Sequence, residues 1–112
     1  MSEIAWAAGL FEGEGCFTVS TSNGKYRQAR VKLRSTDEDV VRRFHQAIGL
    51  GTVREDSYFK RSNGYKTQWE WYARSAEVVQ VIDMLLPWMC SRRRERALEV
   101  REVAVGGRRS SM

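Results

Sequence analysis

Two carboxylates, Glu12 and Glu14, lie among glycines in the segment Trp6-Ala7-Ala8-Gly9-Leu10-Phe11-Glu12-Gly13-Glu14-Gly15-Cys16-Phe17. A carboxylate and an exposed backbone carbonyl are hard oxygen ligands suited to Mg²⁺, which takes few protein groups and keeps several of its waters. Such a pair is the minimal site for hydrolysing a phosphodiester. Solvated acids at a helix end fit the same spacing. A second group lies a few residues on: from Lys25 to Arg34 there are five basic residues and no acid. They alternate with apolar residues, so an extended chain displays them in a row that can neutralise phosphates.

The elements that hold these groups follow from hydrophobic period. Ser2 can cap a first helix running to about Phe11 or Glu12, and the glycines at 13 and 15 are expected to end it, leaving Glu14 past the last turn. The period then changes from 3.6 to 2. Cys16–Thr21 and Gln28–Arg34 alternate around the turn Ser22-Asn23-Gly24-Lys25, which predicts an antiparallel hairpin. Ser35-Thr36, with Asp37, Glu38 and Asp39, opens a second helix whose buried stripe is Val40, Val41, Phe44 and Ile48, stopped by Gly49 and Gly51. Thr52–Phe59 and Lys66–Ala73 form a second hairpin across Lys60–Tyr65. Ser75 caps a third helix with Val78, Val79, Ile82, Leu85 and Leu86 inside, Pro87 interrupts, and a last helix from about Ser91 to Val105 turns Ala97, Val100 and Ala104 inward.

The predicted class is α+β in the order αββαββα(α), with a four-stranded antiparallel sheet, helices on one face and the other face open. Residues 1–105 form one domain and residues 106–112 a flexible tail. With Phe17, Val19, Ala29, Val31, Leu33, Val53, Trp69 and Trp71 under the helices, the open face carries Thr18, Ser20, Gln28, Arg30, Lys32, Arg34, Arg54, Asp56, Gln68, Glu70 and Tyr72. Its cations suit phosphates, and its glutamines, hydroxyls and arginines have the donor and acceptor variety that base edges require. Ser22 and Lys25 extend the surface into the turn. An ordinary solvated sheet face remains the alternative.

Composition sets the outer bounds. The 112 residues hold 19 Lys and Arg against 14 Asp and Glu, a net charge of +5, with four each of Trp, Tyr and Phe, so a folded basic domain is expected rather than a disordered tail. One proline excludes collagen-like chains, and no apolar run approaches the ~20 residues of a membrane span. Cys16 and Cys90 stand apart and His45 is the only histidine, so neither a disulfide framework nor a zinc site can be assembled. An intracellular, reduced setting is expected, with no membrane contact. Trp6, Gly9, Leu10 and Gly13 share one side of the first helix. Gly9 and Gly13 leave a bare strip that either a symmetric copy or an intrachain helix can approach.

Ala7–Gly15 followed by Cys16-Phe17 resembles the motif of the LAGLIDADG homing endonuclease family, single-motif type. The likeness extends over the element order and over Ser35–Asp39, Ile48–Val53 and Leu86-Pro87-Trp88 with its basic cluster. It implies a homodimer packed along Trp6, Gly9, Leu10 and Gly13, with a saddle-shaped sheet over double-stranded DNA. By position it implies Glu14 as metal ligand, the Gly13 carbonyl as a further one, and Mg²⁺ as cofactor with Mn²⁺ as substitute. Glu12 matches the motif's more structural acid. The DNA-contact set is then Thr18, Ser20, Ser22, Lys25, Gln28, Arg30, Lys32, Arg34, Arg54, Asp56, Gln68 and Glu70. Arg92 or Arg93 matches the basic residue near the scissile phosphate, and Ser35 a water-positioning polar residue. A silent DNA-binding regulator and an RNA-binding maturase share the same scaffold.

Overall fold

The computed structural model describes residues 2–22, 26–56 and 67–109, with the backbone alone for Ser22, Tyr26, Asp56 and residues 107–109. Lys25 and the segment expected to join the second pair of strands lie outside the described residues. The order is α1 (Glu3–Glu14), β1 (Gly15–Ser22), β2 (Tyr26–Ser35), α2 (Glu38–Ile48), β3 (Thr52–Asp56), β4 (Gln68–Arg74), α3 (Ala76–Leu85), a 3-10 turn (Leu86–Trp88) and α4 (Ser91–Arg109). The strands form one antiparallel sheet, as the alternation predicts, and the structure puts them in the order β1-β2-β4-β3.

One face of that sheet lies under the helices. Phe17, Ala29, Val31, Leu33, Trp71 and Ala73 are buried there against Phe11 of α1, Phe44 of α2, Val78 and Ile82 of α3, and Ala97 and Val100 of α4. Aromatic rings tie the layers: Phe11 meets Phe17 edge-on at 5.1 Å and Phe44 at 6.3 Å, and Phe44 meets Trp71 at 4.8 Å. The Trp71 indole N–H donates to the Leu50 carbonyl at 2.8 Å, so a buried polar group is satisfied where the chain leaves α2. Among the described residues no helix is long and apolar enough to cross a membrane.

Several boundaries differ from expectation for local reasons. Helix α1 continues through Gly13 to Glu14, so Glu14 is its last residue rather than a residue beyond it. Gly15 makes the turn into β1, as expected; a β-carbon there would collide with the Phe11 ring, which glycine avoids. Asp37, not Ser35 or Thr36, caps α2, its carboxylate accepting from the amides of Asp39 at 3.1 Å and Val40 at 3.4 Å. Ser75 precedes α3 with φ +59° and no side-chain cap bond. Helix α4 runs four residues past Val105, and its buried side includes Val103.

Candidate nucleic-acid interface and metal site

The α1–β1 junction gathers several of the residues that chemistry singles out. Two complementary contacts lock it to α4. The Glu12 carboxylate accepts from the Cys90 amide at 3.2 Å, at the positive end of α4. In return Arg93 donates through Nη2 to the carbonyls of Glu12 and Gly15, both at 3.1 Å, and lies 5.7 Å from the Phe11 ring centroid. These carbonyls flank Gly13 and Glu14, so Arg93 fixes the backbone on both sides of the candidate ligand.

Glu14 itself is exposed, and its carboxylate has no hydrogen-bond or ion partner among the described residues. The Gly13 carbonyl belongs to the last turn of α1, whose carbonyls lack partners further along the helix. A free carboxylate beside a helix-end carbonyl is a donor set that fits a hard cation; no three His, Cys, Asp or Glu side chains gather anywhere among the described residues, here included. Arg92 is exposed and makes no described contact with this junction, so of the two candidate arginines it is Arg93 that stands next to Glu14. Ser35 ends β2 two residues beyond the Gly15–Leu33 pair, at the same end of the sheet. Its hydroxyl accepts the Asp37 amide at 3.0 Å and so shapes the turn into α2.

From this junction the open face extends in rows set by the register. Cys16 and Lys32 align with Tyr72 and Thr52; Thr18 and Arg30 with Arg74; Ser20 with Gln28; Arg34 with Glu70 and Arg54; and Gln68 with Asp56. Thr18, Ser20, Gln28, Arg30, Lys32, Arg34, Arg54 and Gln68 thus share this face with at least partial exposure, and Ser22 and Asp56 occupy strand ends on it. Arg74 belongs to the same surface, although it is missing from the expected set. Its signal was two steps beyond Tyr72, where alternation continues one residue past the expected end of β4.

Glu70 departs from the expectation of an exposed contact residue. Alternation does put it on the open face, but it is only 1% exposed, because an arginine from each neighbouring strand folds over it. Arg34 Nη2 donates to one carboxylate oxygen at 2.7 Å, and Arg54 donates through Nε at 3.1 Å and Nη2 at 2.8 Å to the other. Burial pushes the Glu70 carboxyl up, yet these hydrogen bonds and charges outweigh it and hold the group below its ordinary 4.5. The stabilisation is complete above that ordinary value and is lost as pH falls through the lowered one. Replacement by Gln should lower stability by about 1–2 kcal/mol at neutral pH, both arginines being half-exposed. It should also flatten the acid limb of a plot of Tm against pH, which thermal melts will read.

Helix α1 leaves one side uncovered. Ala7, Ala8 and Phe11 are buried, whereas Gly9 and Gly13 are exposed, and a β-carbon at either would meet nothing within 4 Å. Among the described residues no helix crosses this strip. Trp6 and Leu10 border it half-buried, and Arg43 lies 3.9 Å above the Trp6 ring while pairing with Glu3 at 2.8 Å.

A search of curated proteins found no match. Among solved structures the fold is similar to that of the homing endonuclease I-CvuI in complex with its target in the presence of calcium, with 22% identity, a TM-score of 0.71, and coverage of 91% of this chain and 65% of that one. It is also similar to the archaeal intron-encoded homing endonuclease I-Vdi141I complexed with DNA (20% identity, TM-score 0.74, 93% and 67% covered) and to the homing endonuclease I-TnaI (16%, 0.67, 98% and 77%). The chain therefore spans about two thirds of the length of the first two. The family model described as LAGLIDADG endonuclease matches residues 7–89, most of the sequence, including α1 from Ala7 onward and all four strands, and the chain belongs to that family.

Proposed function

We propose that the protein is a homodimeric, Mg²⁺-dependent endonuclease that cuts both strands of a long, roughly palindromic DNA site. The observation that supports this most is an exposed carboxylate with no partner among the described residues, Glu14, on a braced helix end that leads directly into the first strand of the cationic sheet. The solved relatives that hold DNA are in keeping with this reading, as are two exposed free thiols, which suit a reduced intracellular compartment.

In this mechanism two copies meet along the Gly9–Gly13 strip, so each dimer has two Glu14 carboxylates related by its two-fold axis. Glu14 and the Gly13 carbonyl would hold the cation. Bound there, Mg²⁺ supplies Lewis-acid polarisation of the scissile phosphate and a more acidic attacking water. The protein's own part is placement. Arg93 and Glu12 keep the α1 end from shifting, and the strand cations neutralise phosphates on either side of the cut. Two-fold symmetry assigns one carboxylate to each strand.

The test is retention of duplexes from a random library in EDTA, followed by cleavage of a plasmid carrying the recovered sequence when Mg²⁺ is added. Linear product supports the reading. Retention without cutting in either Mg²⁺ or Mn²⁺ identifies a regulator, and preference for A-form RNA over DNA identifies a maturase. The two arginines should separate in the same assay. Arg93→Ala is expected to slow single-turnover cleavage about tenfold or more with duplex affinity little changed, because it loosens the ligand. Arg92→Ala should instead weaken binding and reduce its salt dependence.

A further inference from the structure

Two rows of the open face carry the same type of charge in different settings. In the first, Arg34 and Arg54 flank the buried carboxylate of Glu70. In the second, Arg30 faces Arg74 across the β2–β4 pairing with Thr18 beyond, and no acid joins them in that row. Among the described residues neither Arg30 nor Arg74 has an ion-pair partner, and Arg30 Nε is buried without a hydrogen-bond acceptor. Like charges directly opposite one another destabilise a sheet, so this row lacks a counter-anion among the described residues.

The first row differs in geometry as well as charge. One edge of the Arg54 guanidinium, Nε and Nη2, is fixed on a single Glu70 oxygen, and the group lies 5.0 Å from the Tyr72 ring centroid. A guanidinium is a rigid fork of five N–H donors, so holding that edge aims the end carrying Nη1. The side chain is 59% exposed, which leaves that end accessible from the open face. The paired charge contributes less to phosphate attraction. The fixed fork, in contrast, matches the O6 and N7 acceptors of guanine in the major groove, with its ordering entropy already lost before binding.

We propose that Glu70 is a positioning residue that makes Arg54 a reader of guanine, while Arg30 and Arg74 hold backbone phosphate. The inference rests on the assignment of this face to DNA and adds a division of labour within it. Sequence choice and electrostatic grip then reside in different rows and can be changed separately.

The experiment selects random duplexes with the intact protein in EDTA and sequences what is retained. Arg54→Lys keeps the charge opposite Glu70 but loses the fork. It should relax one guanine preference in each half-site about tenfold or more and leave the other positions unchanged. Glu70→Gln should blur the same position. Arg74→Ala should keep every base preference, lower affinity for all duplexes alike, and reduce the slope of log affinity against log salt by about one unit per chain. Unchanged base preferences in Arg54→Lys, or altered base choice in Arg74→Ala, overturn the inference. If the parent protein retains no duplex at all, the DNA assignment fails first and takes this inference with it.

Discussion

Glu14→Gln is expected to reduce double-strand cleavage by about a thousandfold, roughly 4 kcal/mol of transition-state stabilisation, without destabilising the fold. The two side chains are nearly isosteric, and the carboxylate is exposed with no partner among the described residues, so its replacement breaks no described contact. What it removes is the anionic oxygen that a hard cation requires. Because a negative charge facing phosphate is also removed, affinity for the duplex in EDTA should be unchanged or slightly higher. Single-turnover cleavage and equilibrium binding measured on the same preparation separate the two effects. A variant that cuts within tenfold of the parent would show that the metal is held elsewhere.

Much of this site was legible in the sequence because it depends on periodicity and on one dense segment. Alternation in Cys16–Thr21 and Gln28–Arg34 assigned the two sheet faces correctly, Gly9 and Gly13 marked the bare strip, and Gly15 marked the turn into β1. The rest depends on contacts between distant parts of the chain. Nothing local in Gln68-Trp69-Glu70 tells that arginines from β2 and β3 will cover the carboxylate; that requires the strand order β2-β4-β3 and its register. Arg92 and Arg93 are neighbours of the same type, separated only by the 100° turn of a helix against the end of α1. Gly13 reads as a breaker but stays helical, because the true turn residue is chosen by the Phe11 ring packed under Gly15.

Gly9→Leu gives the other large effect, and its sign depends on the assembly. Inside a helix leucine is better than glycine by about 0.8 kcal/mol, and the described residues leave the space beyond Gly9 open, so an isolated copy should be no less stable than the parent. In a dimer packed along this strip the isobutyl group lies where the partner's backbone must approach. The expected result is a monomer in sedimentation at concentrations where the parent is paired, with a Tm at least equal to that of the separated parent chain. Affinity for a palindromic duplex should fall about a hundredfold or more as the second half-site contact ceases to be intramolecular. Gly13→Leu should separate the copies likewise, but it adjoins Glu14 and is the less clean probe. A dimer undisturbed by Gly9→Leu would place the contact on another surface.

In the proposed mechanism each strand is cut by the Glu14 of one copy within a two-fold pair. This is tested most directly by a mixed dimer, one parent chain and one Glu14→Gln chain, purified through different tags and given plasmid carrying the recovered site. Nicked circles that do not progress to linear DNA are expected, while the parent dimer yields linear product. Linear DNA from the mixed dimer at about the parent rate would mean that one carboxylate serves both strands or neither, and would rule this mechanism out.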